Sequence, residues 1–451
     1  MHRGASRDVQ ETVGYHETGT PEGNAPTVRD SDGQRGKVKI LFVNTYHYRR
    51  AGAEVYALDL AEALRSRGHE VRFFAMQHPD NIQSADSRYW VPEIDFRAMN
   101  AHKTPANALL VLSRSIYSVG ARRALSGMLS DWRPDVAHLN NIHAHLTPSV
   151  IDELNARGIP TVWTLHDCKL LCPNTDLASH GEICERCKGG RFMQCTLHTC
   201  KKDSRSASFV ATLEAEAHRF LHVRDRVDAF IAPSVFLRDK FIEFGWPPDK
   251  FVHMPNFNNM PLASHVEMPD GRRVLFAGQL ERTKGVLTLL EALEHSPDVR
   301  LDIAGDGQLR GEVEAKAADL RLNGAEVHTH GRVSKDVLGG LIDAARVVVV
   351  PSQLYENSPY SVIEAFAHAR PVVASRIGGI PELVVDGVNG ITTTPGAANE
   401  FAVAIDRLLD DPELWRRSAG GALATAASRD ATDYVVALEK LYADVVSGKI
   451  S

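Results

Sequence analysis

The segment Tyr355-Glu356-Asn357-Ser358-Pro359-Tyr360-Ser361-Val362-Ile363-Glu364-Ala365-Phe366 carries two glutamates, Glu356 and Glu364, around a proline. Pro359 fits the first position of a helix, and Ser358 before it fits the N-cap, because proline keeps its predecessor out of the α region. The segment therefore predicts a helix over 359–368. Its first turn leaves the amides of Tyr360 and Ser361 without intrahelical acceptors, and the helix dipole favours an anion there, such as a diphosphate. Glu364 falls roughly 7–9 Å further along the axis at about 1.5 Å per residue, which is the reach from a phosphate to a ribose. A carboxylate there accepts two bonds from vicinal hydroxyls. Taken alone, these residues also allow a capped surface helix with solvated glutamates.

A second concentration of chemistry lies earlier. All six cysteines, Cys168, Cys172, Cys184, Cys187, Cys195 and Cys200, fall within 33 residues. Cys184 and Cys187 form a Cys-x2-Cys knuckle beside Gly189 and Gly190, with Cys172 and Cys200 on either side and eleven and twelve residues intervening. Four thiolates at Cys172, Cys184, Cys187 and Cys200 could hold a structural Zn²⁺ tetrahedrally. Reduced thiols, a disulfide or an iron–sulfur site are the alternatives the spacing leaves open. Residues 1–36 show no apolar signal core, so a reducing cytosol is the expected compartment, where clustered cysteines more often bind metal or act as a redox pair.

These residues need a scaffold, and the chain of 451 residues is long enough for two domains. Hydrophobic residues make up 43% and charged residues 24%, the composition of a folded globular protein. The net charge of −6 gives no basic footprint for nucleic acid, and no apolar run is long enough to span a bilayer. After a polar tail over residues 1–36, short β-branched runs alternate with amphipathic stretches. Strands are expected at Val38–Val43, Glu70–Phe74, Asp135–Leu139, Thr161–Leu165 and Asp228–Ala232. A proline- and asparagine-rich break over 255–270 precedes a second series: Arg273–Ala277, Arg300–Ala304, Val327–Thr329, Val347–Val350 and Pro371–Ala374. The expectation is α/β: two doubly wound parallel sheets, one over 37–254 and one over 271–430, then a helical region over 431–451, with a shared cleft beyond the strand ends. The stretch 106–130 reads as an amphipathic helix covering a sheet, with Leu109, Leu110, Leu112 and Ile116 beside Arg114, Arg122 and Arg123; contact with a membrane surface or a lipid-linked acceptor is its second reading.

The motif set resembles the retaining glycosyltransferases of family 4, which have the GT-B fold of two facing Rossmann-like domains. The resemblance rests on the Glu356/Glu364 pair between Pro351-Ser352 and Arg370-Pro371-Val372-Val373-Ala374, on Gly52-Ala53-Glu54, and on Thr164-Leu165-His166-Asp167. It also rests on Phe276-Ala277-Gly278-Gln279-Leu280 with Lys284-Gly285, and on Gly378-Gly379-Ile380-Pro381-Glu382. It spans roughly 37–445 and implies a hexosyltransferase that moves a sugar from a nucleotide-diphosphate donor to a carbohydrate or lipid-linked hydroxyl acceptor. Lys284 and the amides of Tyr360 and Ser361 would hold the diphosphate and Glu364 the ribose, with Gly278, Gln279, Arg282 and Ser358 also on the donor side. Glu356 would lie near the sugar, Gly52 would let the backbone approach it, and His166 would face it from the first domain.

The resemblance further implies a front-face transfer in which the departing phosphate helps deprotonate the acceptor, with no covalent nucleophile and no catalytic metal. Two positions depart from the pattern. Gln279 stands where an arginine is usual, and a neutral amide does not neutralise a leaving diphosphate; Arg282 is the expected substitute. Ala51 stands where a second glycine is usual. Two rival functions stay open on this basis: a nucleotide-sugar epimerase or phosphorylase of the same fold, and a non-catalytic nucleotide-sugar-binding or zinc-stabilised interaction protein. Polysaccharide or glycolipid synthesis, with peripheral attachment at the inner membrane face, is the setting the resemblance suggests.

Overall fold

The computed structural model describes residues 36–93, 116–143, 145–294 and 298–450. The tail expected over 1–36 therefore lies outside the described residues except for Gly36, as do Leu109, Leu110, Leu112 and Arg114 of the expected amphipathic stretch. Its described remainder is the helix Val119–Asp131, capped by the Ser118 hydroxyl, which buries Ala121, Leu125, Met128 and Leu129.

The first sheet contains β1 (Lys39–Val43), β2 (Glu70–Phe74), β3 (Val136–Leu139) and β4 (Thr161–Thr164). The short pair β5 (Ala178–Ser179) and β6 (Glu182–Ile183) forms a separate antiparallel ribbon, and β7 (Ala229–Ala232) and β8 (Phe251–His253) complete the first sheet. Its order is β2-β1-β3-β4-β7-β8, all parallel. The second sheet contains β9 (Arg273–Ala277), β10 (Arg300–Ala304), β11 (Glu326–Gly331), β12 (Val347–Val350), β13 (Val372–Ser375) and β14 (Gly390–Thr393). Its order, β11-β10-β9-β12-β13-β14, is the Rossmann order 3-2-1-4-5-6, also all parallel.

Parallel sheets bury both faces, so their strands read as unbroken apolar runs. In β12, Val347 and Val349 pack into one core and Val348 and Val350 into the opposite one. Each such side chain contributes roughly 1.5–3 kcal/mol by leaving water. The chain order reverses beside β1 and β3 in the first sheet and beside β9 and β12 in the second. Ligand crevices form at such switch points, beyond the C-terminal strand ends.

The stretch 255–270 between the sheets contains neither helix nor strand. At the C-terminus the helix Pro412–Ala427 packs on Tyr360–Ala367, whereas the helix Ala431–Val446 returns to the first lobe. There Tyr434, Leu438 and Tyr442 join the core of the first sheet. A buried polar chain secures it: the Tyr56 hydroxyl meets Tyr434 at 2.6 Å and Thr164 at 3.1 Å, and His138 meets Tyr442 at 2.6 Å and Thr164 at 2.7 Å. His138 is thus a core residue. No helix among the described residues is long and apolar enough to cross a membrane.

Candidate active site between the two lobes

The loops after β9 and β12 meet at the second switch point. Gly285 makes this approach feasible: its φ is +70°, and a Cβ there would lie 1.8 Å from the Pro351 carbonyl oxygen. With that contact made, Lys284 Nζ donates to Glu356 Oε1 at 2.6 Å, and the Ser352 hydroxyl donates to the same oxygen at 2.8 Å. The pair is only partly screened, with the lysine side chain 33% and the glutamate side chain 14% exposed. Gly378 and Gly379 support the Glu356 loop from behind, and a Cβ on Gly378 would lie 2.3 Å from the Glu356 carbonyl oxygen.

The helix after this loop starts one residue later than its sequence predicts, at Tyr360. Pro359 takes the cap position with ψ at 125°, so Ser358 is displaced from capping and its hydroxyl is buried without a partner. The first intrahelical bond runs from Val362 N–H to the Pro359 carbonyl at 3.2 Å, which leaves the Tyr360 and Ser361 amides ahead of it. Glu364 lies one turn further on. Burial raises its carboxyl above the usual range, the Lys335 ammonium lowers it, and Asp59 across the cleft raises it. Burial also raises the Tyr360 phenol well above its ordinary value, and its hydroxyl is buried without a partner.

The remaining expected donor residues divide. Gly278 follows β9 and its N–H donates to the Ala304 carbonyl at 3.0 Å. Gln279 is exposed. Arg282 does not join Lys284: its side chain is 75% exposed and lies 3.9 Å from Glu312, on the helix Arg310–Leu322.

From the first lobe, Gly52 opens the helix Gly52–Ser66, and a Cβ there would stand 3.6 Å from the Tyr360 ring. That contact is ordinary, so a Cβ would fit between the first-lobe loop and the Tyr360 ring. His166 follows β4, with Nε2 3.0 Å from Asn140 Oδ1 and its ring centroid 5.1 Å from that of Tyr56. If the amide oxygen accepts from Nε2, Nδ1 keeps its lone pair. Burial pushes His166 down to about 4, with Asp167 raising and His143 lowering it, so the ring is neutral in ordinary buffers. Asp176, on the cysteine segment, is pushed up to about 6 by burial and by Asp167, while Lys201 lowers it, Glu281 raises it and Lys284 lowers it.

Three residues the sequence reasoning missed hold the lobes together. Asn357, beside Glu356, accepts from the Ser234 hydroxyl at 2.6 Å and donates to the Leu165 carbonyl at 3.2 Å. Glu382 accepts from the Val235 and Phe236 N–H groups at 2.8 and 2.6 Å, at the start of the helix Val235–Glu243. The Tyr355 hydroxyl donates to Glu185 at 3.1 Å. Asn357 and Glu382 both lie within quoted motifs, but their partners are more than a hundred residues away in sequence.

All six cysteines are free, and Cys187 and Cys195 pack with Phe192, with Cys200 against them. Cys184 stands at the edge, 3.6 Å from an Arg186 nitrogen.

Two Rossmann-like lobes that share a cleft, with a lysine–glutamate pair and a helix N-terminus on one wall and a histidine on the other, define the GT-B class. Residues 50–259 match the family described as Glycosyltransferase Family 4, and residues 271–411 match Glycosyl transferases group 1. The D-inositol 3-phosphate glycosyltransferase of Streptomyces griseus is 35% identical over 414 residues, 86% of this chain and 84% of that protein. The chain belongs to the family 4 glycosyltransferases. The alpha-D-kanosaminyltransferase of Streptomyces kanamyceticus is 34% identical over 160 residues, which is 35% of this chain and 41% of that protein. The fold also matches Anabaena HepE in complex with UDP-glucose, at a TM-score of 0.61 and 20% identity over 91% of this chain and all of that one.

Proposed function

We propose that this glycosyltransferase moves a hexose from a nucleoside-diphosphate sugar to a hydroxyl acceptor with retention, in the assembly of a polysaccharide or glycolipid. One observation carries the reading: Asn357 ties the loop of the Lys284–Glu356 pair to the Leu165 carbonyl, one residue from His166. The two walls of the cleft therefore meet where a sugar–phosphate bond would lie. The solved relative with UDP-glucose supports the donor class.

In this reading Lys284 and the Tyr360 and Ser361 amides face the diphosphate, aimed at the charge that develops as it leaves. The C1–O bond to the β-phosphate breaks with its electron pair going to the phosphate oxygen. The acceptor oxygen bonds C1 from the same face, and its proton passes to that phosphate. Glu364 accepts from the ribose hydroxyls, and its burial favours a partner that donates. His166, neutral and held by Asn140, offers Nδ1 to a sugar hydroxyl and positions it without titrating. Glu356 keeps Lys284 extended before the donor arrives. The acceptor enters from the first lobe, and no metal is assigned to the chemical step.

A panel of UDP-, GDP-, ADP- and TDP-sugars, assayed for nucleoside-diphosphate release and for the anomer of the sugar product by NMR, tests this. One donor should be consumed with its configuration retained. An inverted product, epimerised donor, dependence on free phosphate, or no turnover of any donor contradicts it.

A further inference from the structure

A small cavity beside His166 plays no part in the steps of glycosyl transfer. Its walls include the polar side chains of Asn140, His143, His166 and Asp167, with Trp163 and Leu170 completing them. The space open to the centre of a water molecule is about 10 Å³, which is about what one buried water needs. A sugar ring does not fit there, so the cavity is not part of the donor or acceptor path.

Asn140, which follows β3, is 1% exposed and its backbone is fixed on two sides. Its N–H donates to the Val43 carbonyl at 3.0 Å, and its own carbonyl accepts from Trp163 Nε1 at 2.7 Å. The side-chain Oδ1 meets His166 Nε2 at 3.0 Å, whereas Nδ2 is buried without a partner. His143, three residues on, packs its ring against Trp163 with centroids 5.5 Å apart, and its Nδ1 is also buried without a partner. Burial pushes His143 down to about 3, with Lys169 lowering and Glu214 raising it. The ring is therefore neutral, with one N–H and one lone pair. Buried polar atoms are almost always hydrogen-bonded, to protein or to ordered water. Two unpaired atoms on the walls of one water-sized cavity, one of them a donor, call for an occupant that both accepts and donates. Water does both. The Nδ2 hydrogens repel a cation, and among the described residues no three histidine, cysteine or acidic side chains stand where they could hold a metal.

We propose that this cavity binds one ordered water, which accepts from Asn140 Nδ2 and donates to His143 Nδ1, and that Asn140 and His143 are thereby positioning residues holding His166 in its Nε2–H tautomer. The Asp167 carboxylate, on the same wall, can take the second hydrogen of the water; its Oδ1 already accepts from the Lys169 N–H at 2.8 Å. The amide of Asn140 keeps Oδ1 toward His166 because Nδ2 has an acceptor on its other side. Turned over, the amide would give Nδ2 to His166 and force the ring proton onto Nδ1. The inference rests on the reading that His166 meets the transferred sugar. In the Nε2–H tautomer its Nδ1 lone pair accepts from a sugar hydroxyl, so a donor lacking the hydroxyl at that position is disfavoured.

The test is nitrogen NMR of the full chain with labelled histidines near neutral pH, where the shift of each ring nitrogen shows whether it carries the proton or a lone pair. Loss of a signal in His166→Gln assigns that residue. The wild type should show His166 as a single tautomer with its proton on Nε2. His143→Phe keeps a ring but removes the lone pair, and should shift His166 to a mixture of both tautomers. His143→Asn returns an amide acceptor near the Nδ1 position and should restore the single tautomer. A crystal structure of the wild type, which does not depend on variants that fold poorly, should show one water within hydrogen-bond reach of Asn140 Nδ2 and His143 Nδ1. A proton on Nδ1 of wild-type His166, an unchanged His166 signal in His143→Phe, the same change in both His143 variants, or no ordered water at this position would each overturn the assignment. These readouts use no substrate, so a failed donor panel counts against the transferase reading alone.

Discussion

Replacing Lys284 with alanine separates a leaving-group cation from a structural salt bridge. A lysine ammonium about 4 Å from a diphosphate oxygen interacts by about 4 kcal/mol at an effective dielectric of about 20. Lys284 is 33% exposed, so solvent screens part of this, and about 3 kcal/mol remains, equivalent to roughly a hundredfold in rate. The ground-state loss is smaller, because Glu356 keeps the Ser352 hydroxyl at 2.8 Å; the change in folding stability should stay within about 1 kcal/mol. Steady-state kinetics with the donor that the wild type consumes, alongside urea unfolding of both proteins, reads the two effects separately. A loss in kcat/KM below about fivefold would refute the leaving-group role. So would a loss explained entirely by unfolding.

Four further outcomes follow from the geometry. Because burial holds His166 down to about 4, kcat should show no acid limb from this group between about pH 6 and 9, and an acid limb near neutrality that disappears in His166→Asn would contradict the positioning role. Burial likewise pushes His138 down to about 3. The unfolded chain takes up that proton near about 6.5, so the stability of the neutral ring is full above that pH and is lost as pH falls below it; urea unfolding of His138→Gln near about pH 5 should show a slope smaller by about 1.4 kcal/mol per pH unit. Glu382→Ala removes a carboxylate that caps the helix Val235–Glu243 from across the cleft. It should cost about 1 kcal/mol and enlarge the molecule in solution scattering, whereas an unchanged scattering profile and KM would count against a latch. Gly378→Ala places a Cβ 2.3 Å from the Glu356 carbonyl at φ +60°, and should lower activity more than Gly387→Ala, where the φ is +73° but nothing lies within 4 Å.

Much of the scaffold was legible because both sheets are parallel and buried on two faces. Glu70–Phe74, Arg273–Ala277, Arg300–Ala304 and Val347–Val350 match their expected strands residue for residue. The periodicity missed β14, a short edge strand beginning at a glycine after a turn, and β8, which is three residues long. The helix Tyr360–Ala367 begins one residue late because Pro359 takes the extended cap conformation itself.

The contact of Lys284 with Glu356 joins two residues that the sequence had already singled out, on two loops ahead of one helix end. The bridges between the lobes had no such signal. Asn357 to Ser234 and Glu382 to Val235 span 123 and 147 residues, and only the approach of the lobes makes those side chains partners.

The most direct test of the donor-site assignment is calorimetric titration of UDP, GDP, ADP and TDP into the wild type and into Glu364→Ala. One nucleoside diphosphate should bind the wild type at a single site, with binding weakened at least about tenfold in the variant, the loss of a charged hydrogen-bond acceptor. Absence of binding by all four, or equal affinity in Glu364→Ala, would contradict the placement of the donor on the helix Tyr360–Ala367.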